Sequence, residues 1–178
     1  KQILPIMLKA SLLIHKEMGD VQFVIAKSPQ IDWDVYHRKT HGLKIDLKII
    51  EGKTYDCLNI ADFAFVCSGT ATLETAIMQK PFVVIYKMDL LNYLFYRPQI
   101  KVPYIGMVNI VANKLIVPEF IQFQARPKKI ADQVLKIFER AQYKVSLWFG
   151  ARIVSCVFVG LASLATFYLL GIKYAFTL

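Results

Sequence analysis

The chain has 178 residues, room for one domain of ordinary size and an appendage, and 56% of them are hydrophobic, above the usual share for a soluble domain. Its net charge is +9, from 22 Lys and Arg against 13 Asp and Glu, with no basic run interleaved with aromatics. That pattern argues against nucleic acid as a partner and for a membrane surface or phosphorylated substrates. The three cysteines, Cys57, Cys67 and Cys156, form no CxxC pair and fit a reducing compartment better than a disulfide framework. The sequence starts at Lys1 inside an apolar helical pattern, so it reads as part of a longer chain.

In chain order, Ile3 to Lys16 carries apolar residues at helical spacing and meets a stop signal at Gly19-Asp20. Gln22 to Ala26 reads as a short strand. Ser28-Pro29 opens a loop, and Ile31 to Lys39 reads as a helix. Leu47 to Ile50 is strand-like, Glu51-Gly52-Lys53 a turn, and Thr54 to Ala61 a short helix. Phe63 to Cys67 predicts a strand buried on both faces, Thr70 to Gln79 a helix closed by Lys80-Pro81, and Phe82 to Tyr86 a second buried strand. This alternation predicts an α/β, Rossmann-like fold with a parallel sheet and crossover helices, whose ligands bind at the carboxyl ends of the strands. Leu90 to Tyr96 reads as a short helix rich in Leu, Tyr and Phe beside Arg97. It is either core or a surface for acyl chains or membrane. Val102-Pro103-Tyr104 and Val108-Asn109-Ile110 read as loops, Pro118 to Gln122 as a Pro-started helix, and Pro127 to Arg140 as an amphipathic helix.

Ile153 to Ile172 carries no charge over 20 positions, the length a helix needs to span a bilayer. Trp148 and Phe149 precede it, and Tyr174 and Phe176 follow it, as interface aromatics do. Lys136, Arg140, Lys144 and Arg152 lie on its N-terminal side and only Lys173 on the other, which places the folded part in the cytoplasm. The sequence thus divides into a nucleotide-sugar-binding α/β domain at 1–140 and a membrane-spanning tail at 141–178; a buried core helix or an exchanged tail in a soluble oligomer is the alternative.

The densest chemical signal is Ser68-Gly69-Thr70-Ala71-Thr72-Leu73-Glu74, between an apolar strand and a helix. Its small residues leave backbone N–H groups accessible at a helix start, beside hydroxyls, which suits a phosphate or diphosphate. Glu74, one turn beyond Thr70, could accept hydrogen bonds from sugar hydroxyls. The plainer reading is a Ser/Thr helix cap with a tight turn and an exposed carboxylate. His37 and His41 have the spacing of a metal pair, but Arg38 and Lys39 lie between them and no third ligand follows, so no metal is expected.

That element, followed by Pro81-Phe82-Val83-Val84, Tyr86-Lys87, Val102-Pro103-Tyr104-Ile105, Asn109-Ile110 and Val117-Pro118-Glu119 with Gln122, resembles the lipid-A-disaccharide synthase family over about Gln2 to Arg140. The resemblance implies the C-terminal, donor-binding half of a GT-B glycosyltransferase. This family moves 2,3-diacylglucosamine from its UDP derivative to 2,3-diacylglucosamine 1-phosphate, forming a β(1→6) bond with inversion and without metal or cofactor. It implies donor contacts at Ser68, Gly69, Thr70, Thr72 and Glu74, and places Asn109, Glu119 and Gln122 along the cleft, where a structural hydrogen-bonding role is equally open. The general base is expected in an acceptor-side domain, and a Ser-Arg loop immediately ahead of Gln2. The implied partners are the UDP-diacylglucosamine donor, the acylated glucosamine phosphate acceptor, membrane lipid and a second copy in a homodimer. The implied location is the cytoplasmic face of the bacterial inner membrane. The hydrophobic tail departs from the family pattern. Competing readings are another UDP-sugar transferase or epimerase domain, and a non-catalytic membrane-anchored interaction module.

Overall fold

The run Phe82–Tyr86 is apolar at every position, as a strand covered on both faces requires. In the computed structural model, which describes residues 2–67, 69–96 and 103–171, this run is the middle strand of a three-stranded parallel sheet. Ser68, Arg97, Val102, Ile172, Lys173, Tyr174 and Phe176 lie outside the described residues. The chain forms two units, Lys1–Leu135 and Lys136–Leu178.

The first unit begins with α1 (Ile3–Met18), which stops at Gly19, where φ is +78° and the N–H bonds back to His15 O at 2.9 Å. Strands β1 (Gln22–Lys27) and β2 (Asp46–Glu51) flank α2 (Trp33–Thr40) and pair in parallel. Their register is pinned at both ends by side chains of directly paired residues. Gln22 Nε2 donates to Asp46 Oδ2 at 2.6 Å, and Lys27 Nζ to Glu51 Oε1 at 2.6 Å. After α3 (Thr54–Ile60), β3 (Ala64–Cys67) leads into α4 (Ala71–Ile77) and β4 (Phe82–Tyr86). Helices α5 (Leu90–Tyr96) and α6 (Met107–Ala112) precede β5 (Glu119–Ile121), and the order in this sheet is β3-β4-β5. Among the described residues the parallel pairing forms two ladders, β1-β2 and β3-β4-β5.

Alternation along β4 builds the core. Val83 and Ile85 join Ile6 and Ala10 of α1, Ala125, and Ile130 at the start of α7 (Pro127–Leu169). Phe82 and Val84 face the other way and join Val66 and Val108, with Leu73 and Ala76 of α4 packed against them. The sheet is therefore covered on both faces, and α4 and α6 share one of them.

Four local expectations need correction. Strand β3 is not buried on both faces: Val66 is buried, Ala64 and Phe65 are half-buried and Cys67 is exposed. The Val108–Ile110 segment is helical, because α6 is too short to show helical periodicity; it is closed by Asn113 in the left-handed region at φ +48°. Pro118 does not start a helix. Its carbonyl accepts from Val84 N at 2.9 Å and leads into β5, a strand start that needs no N–H from proline. Pro127 to Arg140 and the apolar segment beyond it are one continuous helix, since the intervening Gly150 costs a helix only about 1 kcal/mol.

In the second unit α7 runs to Leu169, and every described residue from 141 onward is exposed. This helix is long and apolar enough to cross a membrane. Two of its hydroxyls bond back to the helix: Ser155 Oγ donates to Ala151 O and Thr166 Oγ1 to Ala162 O, both at 2.9 Å.

Candidate functional site at the carboxyl ends of the strands

The turn after β3 has the backbone that its sequence requires. Gly69 sits at φ +136°, a conformation open to glycine and strained for any side chain. Its carbonyl accepts the buried Thr72 hydroxyl at 2.8 Å and Thr72 N at 3.2 Å, which locks the turn onto the first residues of α4. Thr75, also buried, donates its hydroxyl to Ala71 O at 2.8 Å. Thr70 precedes α4 with an exposed side chain that makes no capping hydrogen bond, so its hydroxyl is not engaged as a helix cap. Gly69, Thr70, Thr72 and Glu74 therefore come together in one turn and one helical turn. Thr72 serves the turn's own geometry, and Thr70 is presented to solvent.

Glu74 is half-buried and has a neighbour that sequence spacing does not reveal. That neighbour is Tyr55, in the first turn of α3, whose phenol is pushed above its ordinary pKa of 10.0 by interaction with the Glu74 carboxylate, hydrogen bonding first and charge second. The turn and α4 lie at the carboxyl end of β3 and form a rim there.

Strands β3 and β4 are neighbours, with Cys67 paired to Ile85, so the residues following β4 continue this rim. A groove of about 340 Å³ lies there, lined by Gln2, Lys87, Met88, Asp89, Gln122, Phe123, Ala125 and Arg126. Gln122 holds its edge: φ is +49°, the side chain is buried, its Oε1 accepts from Met88 N at 3.1 Å and its Nε2 donates to Met88 O at 2.9 Å. The side-chain amide thus imitates a neighbouring strand and fixes Lys87 and Asp89 on either side of Met88. Leu94, Phe95 and Phe123 are exposed, and the Tyr93 and Phe123 rings meet edge-on at 6.2 Å.

Asn109 and Glu119 are fully engaged with backbone on the α4–α6 face. Asn109 has no solvent exposure; its Oδ1 accepts from Ile116 N and Val117 N at 2.9 Å, and its Nδ2 donates to Val117 O at 2.7 Å and Glu119 Oε1 at 2.8 Å. Glu119 also accepts from Ile105 N at 2.9 Å and Gly106 N at 2.8 Å, placing a carboxylate at the start of α6. A Cβ on Gly106 would lie 3.0 Å from Glu119 Oε1 and 3.2 Å from Val84 Cγ2, a tight fit in which those side chains would have to give by a few tenths of an ångström.

Sequence spacing also passes over Lys27, Trp33 and Glu51, because a cation at a strand end ordinarily reads as solvated. Lys27 is only 2% exposed; its Nζ bonds Glu51 Oε1 at 2.6 Å and Ser28 O at 3.2 Å and lies 5.1 Å from the Trp33 ring centroid. Trp33 Nε1 donates to Glu51 Oε2 at 3.1 Å, and the His37 ring stacks on the indole at 5.6 Å. The Lys27 ammonium, with smaller help from the Trp33 N–H, holds the Glu51 carboxyl below its ordinary pKa of 4.5.

A parallel α/β unit with a glycine turn and a hydroxyl-bearing helix start at its strand ends belongs to the ligand-binding α/β class. Comparison with known proteins narrows this. The lipid-A-disaccharide synthetase family profile matches residues 1–147. The lipid-A-disaccharide synthase of Syntrophus aciditrophicus is 43% identical over 141 residues, covering 76% of this chain and 36% of the relative. Those of Nitrosococcus oceani and Myxococcus xanthus are 37% and 31% identical, covering 77% and 78% of this chain and 35% and 36% of the relatives. The chain belongs to the lipid-A-disaccharide synthetase family, and its matched part spans about a third of the length of these curated relatives.

Proposed function

We propose that the first unit is the donor-binding part of a lipid A disaccharide synthase, a hexosyltransferase that moves 2,3-diacylglucosamine from UDP to 2,3-diacylglucosamine 1-phosphate. The observation that carries this reading is the β3–α4 turn. A glycine at positive φ, a threonine hydroxyl outside the helix cap and a carboxylate one turn on are combined in a chain of this family.

In this reading the amides of Gly69 and Thr70 and the hydroxyls of Ser68 and Thr70 hold the donor diphosphate. The leaving UDP gains negative charge as the glycosidic bond breaks, and donors fixed before the reaction stabilise that charge without reorganising. Glu74 accepts hydrogen bonds from the ribose hydroxyls. Thr72 sets the turn. Asn109, Glu119 and Gln122 build the walls rather than touch the nucleotide, because their polar atoms already meet backbone and one another. Lys87 and Arg126, against the one carboxylate of Asp89, leave the groove beside the turn net positive, complementary to a phosphorylated sugar, and the exposed Leu94, Phe95 and Phe123 offer apolar surface to its acyl chains. The second unit anchors the enzyme in the membrane that carries its lipid substrates, with Lys136, Arg140, Lys144 and Arg152 on the cytoplasmic side.

The test is an assay of the 178-residue chain with both acylated sugars. The expected result is no disaccharide, since the general base belongs to the acceptor-side domain. Turnover at the rate of a full-length relative would contradict this division of roles.

A further inference from the structure

We infer that Lys144 and Arg152, on either side of Trp148, form a binding site on α7 for the phosphate of an anionic membrane phospholipid. This rests on the reading of α7 as a membrane span.

The three residues follow one another at intervals of four. Each lies about 40° further round the helix than the last, so all three fall within an arc of about 80°. All three are exposed, and the Trp148 indole stands edge-on to the Phe149 ring at 5.1 Å. The helix offers these cations no carboxylate. No position three or four residues from Lys144 or Arg152 is acidic, and no Asp or Glu follows Glu139 in the sequence. Neither cation joins an ion pair among the described residues.

Depth decides which cations of α7 reach a headgroup. The charge-free stretch starts at Ile153, next to Arg152. At 1.5 Å per residue, a helix along the bilayer normal carries Trp148 about 8 Å above that point, Lys144 about 14 Å, Arg140 about 20 Å and Lys136 about 26 Å. The headgroup layer on each side is about 5–8 Å deep. Arg152 therefore lies at its inner edge, where an unpaired charge is expensive, and its side chain leans toward the helix N-terminus, into the layer. Trp148 lies at the outer edge of that layer, in the zone where indoles collect. Lys144 stands about 6 Å beyond the layer, inside the Debye length of about 8 Å, whereas Arg140 and Lys136 stand outside it. A phosphate held between Lys144 and Arg152 neutralises both, with the indole N–H as a third donor. Charge complementarity selects an anionic phospholipid, because in a zwitterionic one the headgroup's own ammonium already balances the phosphate.

The experiment is tryptophan quenching in the full chain, reconstituted into phosphatidylcholine vesicles that contain brominated phosphatidylglycerol or brominated phosphatidylcholine at equal mole fraction. Trp33 and Trp148 are the two tryptophans, so subtracting the emission of Trp148→Phe isolates the Trp148 signal. Phosphatidylglycerol should bind about fivefold more tightly than phosphatidylcholine, the scale of one basic side chain at an anionic surface. Lys144→Gln/Arg152→Gln should bring that ratio to unity and leave quenching by phosphatidylcholine unchanged. Lys136→Gln/Arg140→Gln removes the same charge and should keep the ratio. Equal affinity for the two lipids in the wild-type chain, a preference that survives Lys144→Gln/Arg152→Gln, or one that disappears in Lys136→Gln/Arg140→Gln would overturn the site while the span stands. Absence of quenching by either lipid would overturn the span, and the site with it.

Discussion

Replacing Asn109 with alanine should lower the stability of the first unit by about 3–5 kcal/mol. The residue is fully buried and its side chain makes four hydrogen bonds, all within the protein. Alanine leaves the N–H groups of Ile116 and Val117, the carbonyl of Val117 and one bond of Glu119 without their partner. Each stranded buried group costs about 1–3 kcal/mol, discounted where the 113–118 loop can relax or admit water. For a unit of this size the melting temperature should fall by roughly 10–20 °C. Denaturant titration checks the free energy, with an unchanged slope showing that the fold is otherwise retained. Asn109→Asp should behave differently. It keeps the two backbone acceptor bonds but sets a second carboxylate against Glu119, so like-charge repulsion raises their proton affinity in the folded state. Its deficit should therefore shrink as pH falls through the carboxylate range. A loss below 1 kcal/mol for Asn109→Ala would mean that the loop repacks and the network is not what holds α6 against β5.

Alkaline carbonate washing of membranes should leave the intact chain in the pellet and release a chain ending at Arg140. From Ile153 onward α7 exposes Ile153, Val154, Val157, Phe158, Val159, Leu161, Leu164 and Phe167, among others. At about 1.5–3 kcal/mol per large apolar side chain removed from water, these alone favour burial by roughly 10 kcal/mol or more. The helix also meets the second demand of a bilayer, since its backbone and its Ser155 and Thr166 hydroxyls are bonded within it. An intact chain recovered in the supernatant would instead point to an apolar face covered by protein, such as a second copy.

Long-range features were legible where the sequence repeats a strong local rule. The apolar run of β4, the strand–turn–helix order at Ser68–Glu74 and the charge-free stretch after Ile153 each carry their own signal, and the parallel α/β fold follows from their alternation. Short elements were not legible. Six residues of α6 cannot show a helical period, and Pro118 reads as a helix start until β4 is seen to bond its carbonyl. Nor could spacing show which side chains meet across the rim. Lys27 lies 24 residues before Glu51, so their contact depends on how the two strands pair. For Asn109, Glu119 and Gln122 the sequence places polar groups near the strand ends. Only the packing around Gly106 and Met88 gives their hydrogen-bond partners.

The central claim is that the β3–α4 turn binds the diphosphate and ribose of a nucleotide sugar. Titration of UDP and uridine against the wild-type chain, Glu74→Ala and Thr70→Val tests it most directly. Glu74→Ala should weaken UDP and uridine alike by about 1–3 kcal/mol, because both carry the ribose. Thr70→Val should weaken UDP more than uridine, because it removes a phosphate contact and keeps the side-chain shape. Unchanged affinities in both variants, with the fold intact by circular dichroism, would contradict the account and leave the turn as a structural link between β3 and α4.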